Sequence, residues 1–198
     1  MIDGGIVFVT LDNGCYEKYL GMCPMPNLIV ISPPGPSPAT TYNEVFDKTD
    51  ERFVCFIHSD VTYDGLLGAV ERTIRARPGY LIGAVGVVGH EYVWSAKGGL
   101  ADIETADSCC LVVDKEMGLR FDDKTFDGFH LYVEDICKQA GRVTTMDINA
   151  YDGLVMPEAI GDYFIHHSYT YRRQGAMWGE YKKYKERFLA KWPGAHTT

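Results

Sequence analysis

Short runs of β-branched and aromatic residues alternate with stretches of helical spacing along the first half of the chain, and that alternation predicts a layered α/β fold. Residues 5–11 (GIVFVTL) read as a buried strand, stopped by the turn signal Asp12-Asn13-Gly14, after which residues 16–20 open a helix. Residues 27–32 (NLIVIS) form a second strand, ended by Pro33-Pro34-Gly35-Pro36. Residues 40–50 carry Tyr42, Val45 and Phe46 on one side of a helix, and residues 52–57 (RFVCFI) form a third strand that runs straight into His58-Ser59-Asp60.

Asp64 caps a helix over 65–76, which Pro78-Gly79 ends. Residues 80–88 are strand-like but rich in glycine, so something approaches the backbone closely there. Residues 107–113 and 143–148 read as later strands and 132–140 as a helix. Residues 178–192, charged and aromatic at helical spacing, read as a helix packed on the surface. With no internal repeat or linker, residues 1–198 are expected to form one compact domain. The order implies a mixed, mainly parallel sheet flanked by helices, and such sheets bind ligands beyond the carboxyl ends of their strands. His58-Ser59-Asp60 stands at such an end.

Composition sharpens the picture. A chain of 198 residues with 46% hydrophobic and 13% aromatic content can bury a real core and is not disordered. A net charge of −8 argues against general nucleic-acid binding, although Arg172, Arg173, Lys182, Lys183 and Lys185 make a local basic group. The six cysteines include no CxxC pair, which argues against a zinc site or a redox dithiol and for reduced thiols in a cytoplasmic protein. No apolar run nears the ~20 residues of a membrane helix, and the first residues lack the positive region of a leader, so membrane attachment is expected to be peripheral at most.

An apolar strand that ends in a carboxylate offers an oxygen ligand for Mg²⁺ or Mn²⁺ holding a diphosphate, and His58 adds an imidazole that suits Mn²⁺ better. The plainer alternative has Asp60 capping the next turn, with His58 a half-buried polar residue. Asp12 is open to the same two readings, a contact to the nucleotide or a turn cap.

Residues 53–61 (FVCFIHSDV) resemble the strand and metal motif of family 2 glycosyltransferases, in particular a subgroup with His-X-Asp in place of Asp-X-Asp. Thr41-Tyr42-Asn43 is similar to that family's helix after the second strand, and residues 107–113 (DSCCLVV) resemble its acceptor-side strand. Leu119-Arg120-Phe121-Asp122, the stretch 126–132 (FDGFHLY), the acidic Glu134-Asp135 and the late His166-His167-Ser168 follow in the family's order. The resemblance departs at Val133, which occupies the first of two acidic places the subgroup shows.

The resemblance implies a GT-A fold and metal-dependent, inverting transfer of a sugar from a nucleotide-sugar donor, a UDP-sugar by preference, to a saccharide or other hydroxyl-bearing acceptor. It implies Asp135 as the base, with Glu134 second, and Asp60, His58 and one of His166 and His167 around Mn²⁺ or Mg²⁺. The donor's contacts would come from Thr10, Asp12, Asn43, His58, Ser59, Asp60, Arg172 and Arg173. The competing reading is a domain that binds nucleotide sugar or glycan without turnover. A nucleotidyltransferase ranks lower, because Gly4-Gly5 is too short for a phosphate loop and precedes its strand.

Overall fold

The computed structural model describes residues 2–23, 25–32, 35–152, 162–167 and 177–197. Strands β1 (Ile6–Leu11) and β2 (Leu28–Ile31) lead to helix α1 (Pro38–Lys48), strands β3 (Phe53–Ile57) and β4 (Val61–Asp64), and helix α2 (Leu66–Ala76). Six short strands follow: β5 (Leu81–Gly83), β6 (Val85–Val88), β7 (Glu91–Trp94), β8 (Asp102–Ile103), β9 (Thr105–Ala106) and β10 (Cys110–Asp114). The chain continues through α3 (Tyr132–Ala140), β11 (Val143–Thr145), β12 (Asn149–Asp152), β13 (Tyr163–His166) and α4 (Met177–Lys191).

The central sheet has seven strands in the order β2-β1-β3-β10-β5-β11-β8. Strands β2, β1, β3, β5 and β11 run one way, while β10 and β8 run against them. The sheet is therefore mixed and mainly parallel, in a GT-A-like α/β arrangement. Successive side chains of a strand point to opposite faces, so the sheet serves two cores at once. Val7, Val9, Val54, Phe56, Leu111 and Val113 pack with α1, α3 and α4. Phe8, Cys55, Ile57, Val112 and Ile82 pack with α2 and the second small sheet, β12-β13-β4.

Local chemistry explains most boundaries. Ser37 caps α1 by accepting from the Thr40 N–H at 3.2 Å, with Pro38 in the first turn. Helix α3 ends on Gly141 at φ 66°, a left-handed stop that glycine adopts without strain. Four sequence expectations are corrected. Residues 16–20 form not one helix but two 3₁₀ turns, Tyr16–Lys18 and Leu20–Met22. Asp64 is the last residue of β4 and does not cap α2, which starts from Gly65. Residues 80–88 split at Ala84 into β5 and β6, which belong to different sheets. The close approach expected there comes from the protein itself, since a Cβ on Gly83 would stand 2.6 Å from the Ala106 Cβ. The strand over 143–148 stops at Thr145, because the Met146 N–H turns to the Ser95 hydroxyl at 2.9 Å.

Helix α4 is more than a surface helix. Tyr184 and Phe188 lie in the core. The Tyr184 hydroxyl donates to Asp127 at 2.8 Å, Arg187 reaches the same carboxylate at 2.9 Å, and Lys191 pairs with Asp122 at 2.7 Å. Burial alone would raise the Asp122 carboxyl, but Lys191 and the Thr125 N–H and hydroxyl outweigh it and hold its pKa down at about 2. A carboxyl depressed in the folded state stabilises above its ordinary pKa of about 3.9, and that contribution disappears as pH falls toward 2. Denaturant unfolding followed from pH 5 to pH 2 should therefore fall more steeply in the natural protein than in Asp122→Asn. Parallel curves would remove Asp122 from the acid response.

Candidate metal and donor site

Three chain segments meet at the carboxyl end of β3. Because β10 runs against β3, its first residue lies beside the last of β3 (Cys110 opposite Ile57), and the turn before β10 arrives at the end of β3. The His58 N–H donates to the Cys109 carbonyl at 3.0 Å and seals that junction. From the other side β13 pairs with β4, which sets His166 opposite Val61.

The resulting cluster holds His58, Asp60 and His166. Their ligand atoms all lie within 4.8 Å of one another. His58 Nδ1 stands 3.7 Å and His166 Nε2 3.5 Å from the Asp60 Oδ1, and the two imidazole rings meet edge-on at 5.5 Å. Asp60 is fully buried, while the His58 and His166 side chains keep 28% and 16% of their exposure, enough for access from outside. Burial draws the His58 pKa below its usual range against the opposing pull of Asp60. A neutral imidazole keeps the lone pair a metal ligand needs. One carboxylate and two imidazoles fit a first-row transition ion such as Mn²⁺ better than Mg²⁺, which prefers all-oxygen surroundings.

The adjacent histidines part company for a simple reason. Neighbours at a strand end face opposite ways, so only one can reach the cluster. His167 stacks on Tyr19 with ring centroids 4.3 Å apart, and its Nε2 lies 3.0 Å from the Thr62 hydroxyl. It is not one of the clustered ligands, whereas His166 is.

Several residues expected to touch the donor are engaged within the protein. The Asp12 carboxylate accepts from the Gly14 and Tyr16 N–H groups at 2.8 and 3.2 Å, which is the turn-cap reading. Ser59 donates its hydroxyl to the Asn13 side chain at 2.7 Å and ties the loop after β1 to the end of β3. Asn43 clasps the Phe121 backbone with both ends of its amide, at 2.9 and 3.0 Å, and so fastens 119–121 to α1. Thr10 sits buried near the end of β1, its hydroxyl without a hydrogen-bond partner among the described residues. Arg172 and Arg173 lie outside the described residues.

The acidic pair divides sharply. Asp135 is fully buried, and its carboxylate accepts from Trp192 Nε1 at 2.7 Å, from Gln139 at 2.7 Å and from Lys191 at 2.8 Å. Those partners belong to α3 and to the end of α4, so Asp135 is an anchor for the last helix. Glu134, one residue earlier, influences Tyr132 instead. Burial first, then the Tyr42 hydroxyl and the Glu134 carboxylate, raise the Tyr132 phenol. Glu134, like Asp135, is buried, at 5% exposure. His130, within the stretch 126–132, packs its ring against Tyr181 and Tyr184 of α4.

Sequence reasoning missed two members. Asp107 and Cys109 form, with His166, a second group of ligand atoms within 4.8 Å of one another. The signal was available in DSC at the start of a strand, had that strand been known to run antiparallel to β3.

No protein-family model matches the chain, and no curated protein matches it. Among solved structures it is similar to S. aureus TarS, with a TM-score of 0.50 at 12% identity over 80% of this chain and 36% of that one. The 1–349 portion of TarS aligns with a TM-score of 0.49 at 14% identity, over 80% of this chain and 59% of that one. Its complex with UDP-GlcNAc aligns with a TM-score of 0.46 at 14% identity, over 81% and 58%. The chain thus spans at most about three-fifths of the length of these proteins. The likeness to S. aureus TarS at a TM-score of 0.50 is one of fold and agrees with the GT-A-like sheet described above.

Proposed function

We propose that the protein is a glycosyltransferase that moves a sugar, with inversion, from a nucleotide-sugar donor of the UDP class to an acceptor hydroxyl. The observation that carries this reading is the convergence of His58, Asp60 and His166 beyond the carboxyl end of β3, where open α/β sheets take their ligands. These three residues hold the divalent ion, and a bound ion supplies positive charge to the departing diphosphate. Arg172 or Arg173 serves the diphosphate by paired hydrogen bonds.

Glu134 takes the base role in preference to Asp135. It receives the acceptor hydroxyl's proton as the new bond to the anomeric carbon forms. Its place in the first turn of α3 favours the charged carboxylate through the helix dipole. Asp135 acts at one remove, by holding Trp192 and Lys191 and with them α4.

Incubation with UDP-sugars and Mn²⁺ should release UDP, faster with a suitable glycan acceptor, and NMR should find the product anomer inverted. UDP and UDP-GlcNAc, with which S. aureus TarS has been crystallised, are the first ligands to use. Absence of donor binding and of donor consumption across the common nucleotide sugars would overturn the reading.

A second reading, donor binding without turnover, draws on the commitment of Asp135 to α4 together with Val133 in an acidic place. Donor binding without either hydrolysis or transfer would favour it.

A further inference from the structure

The absence of a CxxC pair spoke against a zinc site, yet the fold assembles soft-metal ligands from distant segments. Asp107 and Cys109 precede and open the approach to β10, and His166 ends β13. Their ligand atoms lie within 4.8 Å of one another. Ligands around a tetrahedral zinc at 2.0–2.3 Å stand roughly 3.3–3.8 Å apart, so side-chain movements of about 1 Å close the group on an ion.

The turn that carries two of the three ligands is held at several points. The Asp107 N–H donates to the Val85 carbonyl at 2.8 Å, and the Asp107 Oδ1 accepts from the Cys109 N–H at 2.7 Å. The Cys109 carbonyl in turn accepts from His58 at 3.0 Å. A ligand turn fixed in this way loses little freedom when an ion binds.

We propose that Asp107, Cys109 and His166 form a second metal site, for Zn²⁺ or a similarly thiophilic ion, that shares His166 with the His58–Asp60–His166 group. On binding, the Cys109 sulfur forms the metal–sulfur bond and its proton passes to solvent, with no change of oxidation state. Thiolate with imidazole and carboxylate selects Zn²⁺ or Co²⁺ over Mn²⁺ and Mg²⁺. An ion in this site draws on the imidazole that the first group needs. Zn²⁺ therefore opposes the Mn²⁺-dependent binding of donor. That consequence rests on the function proposed above; the site itself does not.

Co²⁺ titration of the intact protein, read by absorption, tests the site. We expect the near-ultraviolet band of thiolate-to-cobalt charge transfer, and its loss in Cys109→Ser. Zn²⁺ affinity should fall at least about tenfold in both Cys109→Ser and Asp107→Asn, while Mn²⁺ affinity stays within about threefold. Metal-free melting curves show whether each variant is folded. If Cys109→Ser does not fold, the wild-type band together with its weakening in Asp107→Asn decides. A wild-type protein without the band, or a band that persists in folded Cys109→Ser, overturns the proposal. UDP binding is measured alongside: the band without UDP binding leaves the metal site and defeats the transferase reading, and UDP binding without the band does the reverse.

Discussion

Asp60→Asn should abolish metal-dependent binding of UDP while leaving the protein folded. The substitution removes one formal charge from the centre of the cluster and nearly preserves shape. The carboxylate stands 3.5 Å from His166 Nε2 and 3.7 Å from His58 Nδ1, and no other acid in that group can replace it. Its backbone carbonyl, which accepts from the His167 N–H at 2.9 Å, is untouched, so the seam between the end of β3 and β13 persists. Loss of a residue that merely supports a metal ligand costs up to about 100-fold in affinity, and loss of the ligand should cost at least that. Calorimetry of UDP with Mn²⁺ on the natural and variant proteins measures it. An unchanged Mn²⁺ titration in the variant would remove Asp60 from the metal site.

The second large effect separates two neighbouring carboxylates. Glu134→Gln should lower transfer by about 10²–10⁴-fold, the contribution of a positioned base, with UDP affinity nearly unchanged. Asp135→Asn should act on stability instead. It weakens the hydrogen bond from Trp192 and the ion pair with Lys191, interactions of about 1.5–3 kcal/mol, which lowers the melting temperature by roughly 3–12 °C for a chain of this size. Residual transfer should survive at temperatures where the variant is folded. If instead Asp135→Asn is stable and inactive, the carboxylate reaches the acceptor and the roles assigned here are reversed.

The elements legible in the sequence are those whose character is set locally. Helix α3 carries its own amphipathic spacing and its own glycine stop, and its observed bounds coincide with those read from the sequence. Strands β1 and β3 are continuous apolar runs of the kind a sheet covered on both faces requires. Strands β4 and β13 went unread, because four residues such as Val61-Thr62-Tyr63-Asp64 become a strand only by pairing with a partner a hundred residues away. The site followed the same division. His58 and Asp60 were visible as polar residues at the end of an apolar strand. Choosing between His166 and His167 needed the strand alternation of β13, which was not available. Asp107 and Cys109 needed the antiparallel course of β10. Asp12, Ser59 and Asn43 carry side chains suited equally to ligands and to backbone, and here the contacts seen are internal.

The central claim is that a metal held by His58, Asp60 and His166 binds a nucleoside diphosphate, and calorimetric titration of UDP with Mn²⁺ and with chelator tests it most directly. The account predicts saturable binding of UDP with Mn²⁺, binding weakened at least about tenfold by chelation, and no Mn²⁺-dependent component in Asp60→Asn. Equal binding with and without metal, or no binding of UDP or any other nucleoside diphosphate at millimolar concentration, would contradict it.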